Sequence, residues 1–303
     1  MLDKLNELLG GALRLDEPMS RYTSFRIGGL ADAMLIPRDV VELKAGLHNA
    51  RRLNIPITFI GNGSNLLVRD GGIRGLVIKL SGTLDWVHIN GNVVRAGCGV
   101  LLSTLAHRAV DAGLKGLEFA AGIPGTLGGA VNMNAGAYDG EMKDVVTCAR
   151  VLDYAGEEME LSYDDLGFGY RKSALQQKGL LAVEVTLELE VGDKEESLAK
   201  ITELNRRRRE KQPIALPSAG SVFKRPPGHY AGPLIEQAGL KGCRIGDAEV
   251  STLHAGFIVN VGNATANDVL ALIKHVQSTV QEKFDVTLEP EIRIIGEDKG
   301  EDE

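Results

Sequence analysis

The stretch Gly122–Tyr138 reads G-I-P-G-T-L-G-G-A-V-N-M-N-A-G-A-Y, crowded with glycine, without charge and carrying two asparagines. Glycine at this density strips away side chains so that backbone N–H groups can approach a partner closely. Phosphates and flat cofactor rings are the acceptors most often served in this way. A tightly packed surface loop is the plain alternative, so the weight falls on what flanks the stretch.

Upstream, the apolar strand Ile57–Ile60 runs straight into G-N-G-S-N-L-L, Gly61–Leu67. Strand into glycine turn is a common phosphate-holding arrangement, but Leu66 occupies the place of the third glycine in a Rossmann G-x-G-x-x-G fingerprint. No G-K-[ST] is present, which excludes a P-loop. A non-Rossmann pyrophosphate loop with Asn62, Ser64 and Asn65 as donors fits better. Earlier still, R-Y-T-S-F-R-I-G-G at Arg21–Gly29 offers Thr23, Ser24 and Arg26 to a phosphate, or is a strand entering a turn.

The chain of 303 residues suggests two or three structural units. A net charge of -7 and a pI near 5.5 argue against a general binder of nucleic acid or anionic membrane. Cys98, Cys148 and Cys243 are odd in number and lack C-x-x-C spacing. They therefore predict neither a disulfide framework nor a zinc site, and they suit a reducing compartment. With no apolar leader and no membrane-spanning run, the expected location is the cytoplasm.

Periodicity predicts an amphipathic helix at Leu2–Leu9 and a helix opened by Asp39 and Glu42 that runs to Leu53. It also predicts a hairpin turning at Asn90-Gly91 and a helix over 101–112. Strands are expected at 146–154, 158–161 and 181–191, and a charged helix at 195–211 whose Arg206–Arg209 run forms a solvated face. Pro213 and Pro217 break that helix and suggest a boundary. Beyond it come a short helix near 232–242, a strand at 256–261, a long helix from Thr265 to Phe284, a final strand at 286–295 and a disordered acidic tail. Arg171 in a glycine-rich turn, Ser221 after Gly220, and Glu291 beside Pro290 are candidate chemistry, though each also reads as an ordinary surface or turn residue.

Taken in order, G-N-G-S-N-L, the Gly122–Tyr138 stretch, Tyr170–Ser173, Ser218–Lys224, Gly232–Gly242 and L-E-P-E-I-R-I-I-G at 288–296 resemble the UDP-N-acetylenolpyruvoylglucosamine reductase family. The resemblance covers the chain apart from its tail. It implies an α+β fold, with a two-lobed FAD-binding domain of the vanillyl-alcohol-oxidase type and a smaller α/β substrate-binding domain. The expected division is an N-terminal helix at 1–20, the FAD domain at 21–200, the substrate domain at 201–296 and a tail at 297–303. It further implies non-covalent FAD, NADPH as hydride donor, no metal, and UDP-N-acetylenolpyruvoylglucosamine as substrate.

By position in the family's motifs, Ser221 is expected as proton donor, and Arg171 and Glu291 as the groups that polarise the substrate carboxylate. A glutamate in that role would need a raised pKa. The cofactor is expected at Tyr22, Thr23, Ser24, Arg26, Gly61, Asn62, Gly63, Ser64, Asn65, Gly122, Ile123, Pro124, Gly125, Gly128, Gly129, Asn134, Ala135 and Gly136. The sugar-nucleotide is expected at Tyr170, Lys224, Glu236 and Gln237. Gly256 stands where the family usually carries asparagine. The segment between Arg171 and Ser221 also lacks the inserted tyrosine-bearing element of the longer family form, so the chain resembles the shorter one. Another FAD-linked oxidase or dehydrogenase of the same fold, or a non-catalytic nucleotide-binding module, are the alternatives.

Overall fold

Asp39 caps the helix Val40–Arg52 by accepting the Glu42 backbone N–H at 2.8 Å, while the Glu42 carboxylate accepts the Arg38 N–H at 2.6 Å in place of the reciprocal bond of the expected capping box. This is a computed structural model, and it describes residues 1–300. Two compact units are present. The first holds residues 1–14, 33–62 and 75–208; among the described residues the second holds 15–32, 63–74 and 209–300. The units are interleaved in sequence, because N-terminal segments contribute Phe25, Ile27 and Leu67 to the core of the C-terminal unit.

In the first unit, a five-stranded antiparallel sheet has the order Glu158–Ser162, Val146–Leu152, Leu181–Glu188, Val93–Gly97, Val87–Asn90. Leu181–Val185 is buried without interruption, so the alternation expected there holds only beyond it. The helices Leu102–Asp111 and Leu127–Asn132 contribute Leu105, Ala109, Leu127 and Val131 to the same core as Val94, Ala149 and Val185. A second core gathers Leu43 and Leu47 of the Asp39-capped helix with Leu76 and Ile78, whose strand pairs in parallel with Ile57–Ile60.

In the second unit, the antiparallel strands Arg244–Ile245, Ala248–Val250 and Ile258–Asn260 share a core with the helix Ala266–Phe284. That helix starts on Thr265, whose hydroxyl accepts the Asp268 N–H at 3.1 Å. Asp70 adds a non-local cap, accepting the Ala266 and Asn267 N–H groups at 2.8 and 3.0 Å. The final strand is shorter than expected, only Arg293–Ile295, and runs parallel to Leu66–Val68. The start of the acidic tail is docked: Glu297 exchanges backbone hydrogen bonds with Gly71 and Gly72. The rest of that expectation, at 301–303, lies outside the described residues. Among the described residues no helix is long and apolar enough to cross a membrane.

Candidate functional site

The glycine stretch is not all loop. Thr126 caps a helix, Leu127–Asn132, accepting the Gly129 N–H at 3.3 Å. Glycines at 128 and 129 hide that helix from propensity, and packing forms it instead. The Gly128 N–H donates to the Cys98 carbonyl at 2.9 Å, and a Cβ at 128 would lie 2.9 Å from the Cys98 Cβ. Burial pushes the Cys98 thiol pKa upward, so it packs as an inert hydrophobe.

The upstream turn is strapped to this stretch within the first unit. Asn62 Nδ2 donates to the Pro124 carbonyl at 2.7 Å, and Asn62 Oδ1 accepts from Ser81 at 3.2 Å. A Cβ at Gly61 would come within 2.6 Å of Thr126 Oγ1. At the head of the stretch, a Cβ at Gly122 would meet Asn205 at 2.7 Å and the Arg208 guanidinium at 3.0 Å.

Arg208 is therefore not part of a solvated arginine face. Burial lowers its pKa, whereas Arg206 and Arg207 stay exposed on Glu203. The sequence held a signal for this, since Ser197, Ile201, Leu204 and Arg208 fall on one stripe of the helix Lys194–Lys211.

Several expected cofactor donors are occupied by the protein. The Tyr22 hydroxyl donates to Glu17 at 2.9 Å, Thr23 Oγ to the Ile27 carbonyl at 2.9 Å, and Ser24 Oγ to the Ser218 carbonyl at 2.6 Å. Thr23 and Ser24, expected as phosphate donors, thus have their hydroxyls on backbone carbonyls in this structure. Asn134, also expected at the cofactor, is engaged by the protein as well. Its side chain is wholly buried, donating to Glu141 at 2.8 Å and to the Gly169 carbonyl at 3.1 Å, and accepting from the Lys143 N–H at 2.9 Å. Ala135 is buried, with its N–H on Ala130 and its carbonyl on Met142.

Beyond Ala135 the chain turns back through Tyr138 and Asp139, both in the left-handed region, so that Gly136–Ala137 pairs with Gly140–Glu141. This returns Glu141 to Asn134. Hydrogen bonds from Lys143 and then Asn134 hold the Glu141 carboxyl below the usual range, and the Arg171 charge acts in the same direction. Arg171 sits with Tyr170 at the tip of a turn closed by reciprocal Gly169–Lys172 backbone hydrogen bonds of 3.0 and 3.2 Å. Its Cζ lies 5.3 Å from the Tyr170 ring centroid.

In the second unit, Ser221 and Glu291 are brought onto adjacent backbone segments. The Glu291 N–H donates to the Val222 carbonyl at 2.7 Å, and the Val222 N–H to the Gly256 carbonyl at 2.9 Å. Lys224 closes the ladder, its N–H on the Glu289 carbonyl at 2.8 Å and its ammonium on the Glu289 carboxylate at 3.1 Å. Asn65 spans the same segment, donating to the Glu291 carbonyl at 3.3 Å and accepting the Arg293 N–H at 2.9 Å. Among the described residues the Ser221 hydroxyl makes one long bond, 3.3 Å to the Phe223 carbonyl.

A Cβ at Gly256 would lie 3.6 Å from Ser221 Oγ but 2.9 Å from the His254 ring. His254, which sequence reasoning passed over, accepts the Gly256 N–H on Nδ1 at 3.1 Å, and burial lowers its pKa. Glu236 pairs with Lys241 at 2.7 Å, and Gln237 is exposed at the end of the helix Ala231–Gln237. Among the described residues no cluster of His, Cys, Asp and Glu could hold a metal.

Residues 31–162 match a family described as an FAD binding domain, and residues 212–295 match the C-terminal domain of UDP-N-acetylenolpyruvoylglucosamine reductase. The UDP-N-acetylenolpyruvoylglucosamine reductase of Alkaliphilus metalliredigens is 53% identical over 93% of each chain. That of Caldanaerobacter subterraneus subsp. tengcongensis is 53% identical over 98% of each. Among solved structures, the UDP-N-acetylenolpyruvylglucosamine reductase of Thermus caldophilus superposes with a TM-score of 0.80 at 40% identity, covering 93% of this chain and 99% of that one. The α+β class expected from the sequence holds.

Proposed function

The chain belongs to the UDP-N-acetylenolpyruvoylglucosamine reductase family, and on that premise we propose how its own residues serve the reaction. It is an FAD-dependent oxidoreductase of peptidoglycan precursor synthesis. The proposed substrates are UDP-N-acetylenolpyruvoylglucosamine and NADPH, the product is UDP-N-acetylmuramate, and the proposed location is the cytoplasm.

The residues fit the cofactor. At Gly61, Gly122 and Gly128 a Cβ would meet a neighbour at 2.9 Å or less, and Asn62 straps the first of these loops to the second. The protein's own atoms thus fix these loops from behind, and the exposed Gly129, whose Cβ would lie 3.4 Å from Thr126 Oγ1, offers bare backbone suited to close approach by a pyrophosphate or a flat ring. When bound, FAD supplies two-electron hydride transfer from NADPH to the terminal carbon of the enolpyruvyl group.

Saturating the double bond then requires a proton at the carbon that bears the carboxylate. Ser221 is assigned that proton. An alcohol is a weak acid, so it can serve only a strongly basic carbanionic carbon in a water-poor site. Its long bond to the Phe223 carbonyl is readily exchanged for such an acceptor. Arg171 is assigned the substrate carboxylate, which a guanidinium fork matches in shape and charge. Glu291 is assigned to the same developing charge, a role that a carboxyl fills only when protonated. Lys224, Glu236, Gln237 and Tyr170 are assigned to the sugar-nucleotide.

The observation that carries the assignment is the backbone bond from Glu291 to Val222, which fixes Glu291 beside the residue that follows Ser221. The test is Ser221→Ala, with the two half-reactions measured separately. NADPH should bleach the flavin at an unchanged rate, while substrate-driven reoxidation should fall by about 10²-fold or more. Reoxidation within a few-fold of wild type would remove Ser221 as the acid.

A further inference from the structure

Arg171 is presented by an unusual piece of backbone. It has φ +55, the left-handed region, at the tip of the tight Gly169–Lys172 turn. A side-chain-bearing residue stays in that region only where its surroundings over-determine it. The surroundings here come from the end of the helix Leu127–Asn132. At the entrance to the turn, Asn134 Nδ2 donates to the Gly169 carbonyl at 3.1 Å; at the exit, Ser173 Oγ donates to the Asn132 carbonyl at 2.8 Å.

The Asn134 amide has one workable orientation. Its second donor faces the Glu141 carboxylate and its oxygen faces the Lys143 N–H, so a flipped amide would set oxygen against two acceptors. Asn134 and Ser173 are both fully buried. Glu141 is itself held by the tight return at Tyr138–Asp139, and its carboxylate lies within the electrostatic reach of Arg171.

We propose that Asn134 is a positioning residue for Arg171: it pins the turn that aims the guanidinium at the substrate carboxylate, with Glu141 locking the amide and Ser173 pinning the turn's far end. The proposal rests on the reductase reading above. Its mechanism is one of orientation, since Arg171 can polarise a carboxylate only from a fixed base, and a displacement of about 1 Å can cost about 10²-fold in rate.

The test uses the FAD-loaded enzyme under anaerobic conditions, recording bleaching by NADPH and recolouring by the enolpyruvyl substrate as separate rates. Asn134→Ala and Ser173→Ala should each retain bleaching within about twofold and slow recolouring by about 10- to 100-fold. Combined with Arg171→Lys, each should add less than about threefold, because a misaimed and a shortened cation fail in the same way. Costs that multiply in the double variants, or bleaching and recolouring that fall together, would overturn the proposal. If Asn134→Ala does not retain FAD, Ser173→Ala and Glu141→Gln decide by the same criterion. Wild-type enzyme that bleaches but does not recolour with substrate would instead defeat the reductase reading; normal wild-type recolouring with multiplicative costs defeats only this proposal.

Discussion

Replacing Gly128 with alanine sets two effects of similar size against each other, and the structure says which wins. Within the helix Leu127–Asn132, alanine is favoured over glycine by about 1 kcal/mol. The added Cβ would lie 2.9 Å from the Cys98 Cβ and 3.2 Å from its carbonyl oxygen. Ordinary carbon contacts begin at about 3.5 Å, so about 0.6 Å of movement is needed from a fully buried residue adjoining the central sheet. Overpacking of this kind costs about 1–3 kcal/mol, enough to reverse the helical gain and leave a net loss of up to about 2 kcal/mol.

Gly129 is the internal control. It is exposed, and its Cβ would meet only Thr126 Oγ1, at 3.4 Å. Gly129→Ala should therefore keep most of the helical gain. At about 2–4 °C per kcal/mol, thermal unfolding of FAD-free protein should show Gly128→Ala melting lower than wild type and Gly129→Ala level or higher. The Gly129 methyl would also stand on the stretch assigned to the cofactor, so FAD affinity should fall while the apoprotein holds or gains stability. Equal shifts of the same sign in both variants would refute the packing argument.

Asp70→Ala should cost about 1–2 kcal/mol, because one carboxylate satisfies two N–H groups at the head of Ala266–Phe284. Amide exchange at Ala266 and Asn267 should accelerate, and unchanged protection would contradict the capping role. His254 predicts a pH effect with a definite sign. Burial lowers its folded pKa, outweighing the backbone hydrogen bond that favours the charged ring, while the charges of Lys241 and Glu236 pull weakly in opposite directions. As pH falls through about 6.5, the unfolded chain binds the proton first, so stability is full above that value and declines below it. Denaturation midpoints for the wild type and His254→Gln at about pH 7.5 and 5.5 check this; an equal slope in both would exclude His254 as the source.

Much of the fold was legible because hydrophobic period and capping residues agreed. Asp39 with Glu42, and Thr265 with Asp268, marked helix starts that the structure reproduces. Less legible was whatever depended on distant segments. The helix after Thr126 carries glycines because Gly128 must pack against Cys98, and local propensity contains no trace of Cys98. The final strand is short because Pro290 and Glu291 pair with Phe223 and Val222 instead of continuing one ladder. At the site, residue types were readable but their engagements were not. Thr23, Ser24 and Asn134 look like free donors in sequence, and only the folded backbone supplies the carbonyls that occupy them. Arg208 was readable in principle, since it lies on the buried stripe of its helix, but its charge invited a solvated reading.

The central claim is that the glycine loops at Gly61 and Gly122–Gly129 hold a flavin that NADPH reduces and the enolpyruvyl ether reoxidises. Its most direct test is an anaerobic visible titration of the purified protein. The yellow protein should bleach on stoichiometric NADPH and recover its colour on UDP-N-acetylenolpyruvoylglucosamine, with one UDP-N-acetylmuramate formed per flavin reoxidised. A colourless protein that takes up no FAD, or a bleached one that substrate leaves bleached, would contradict it.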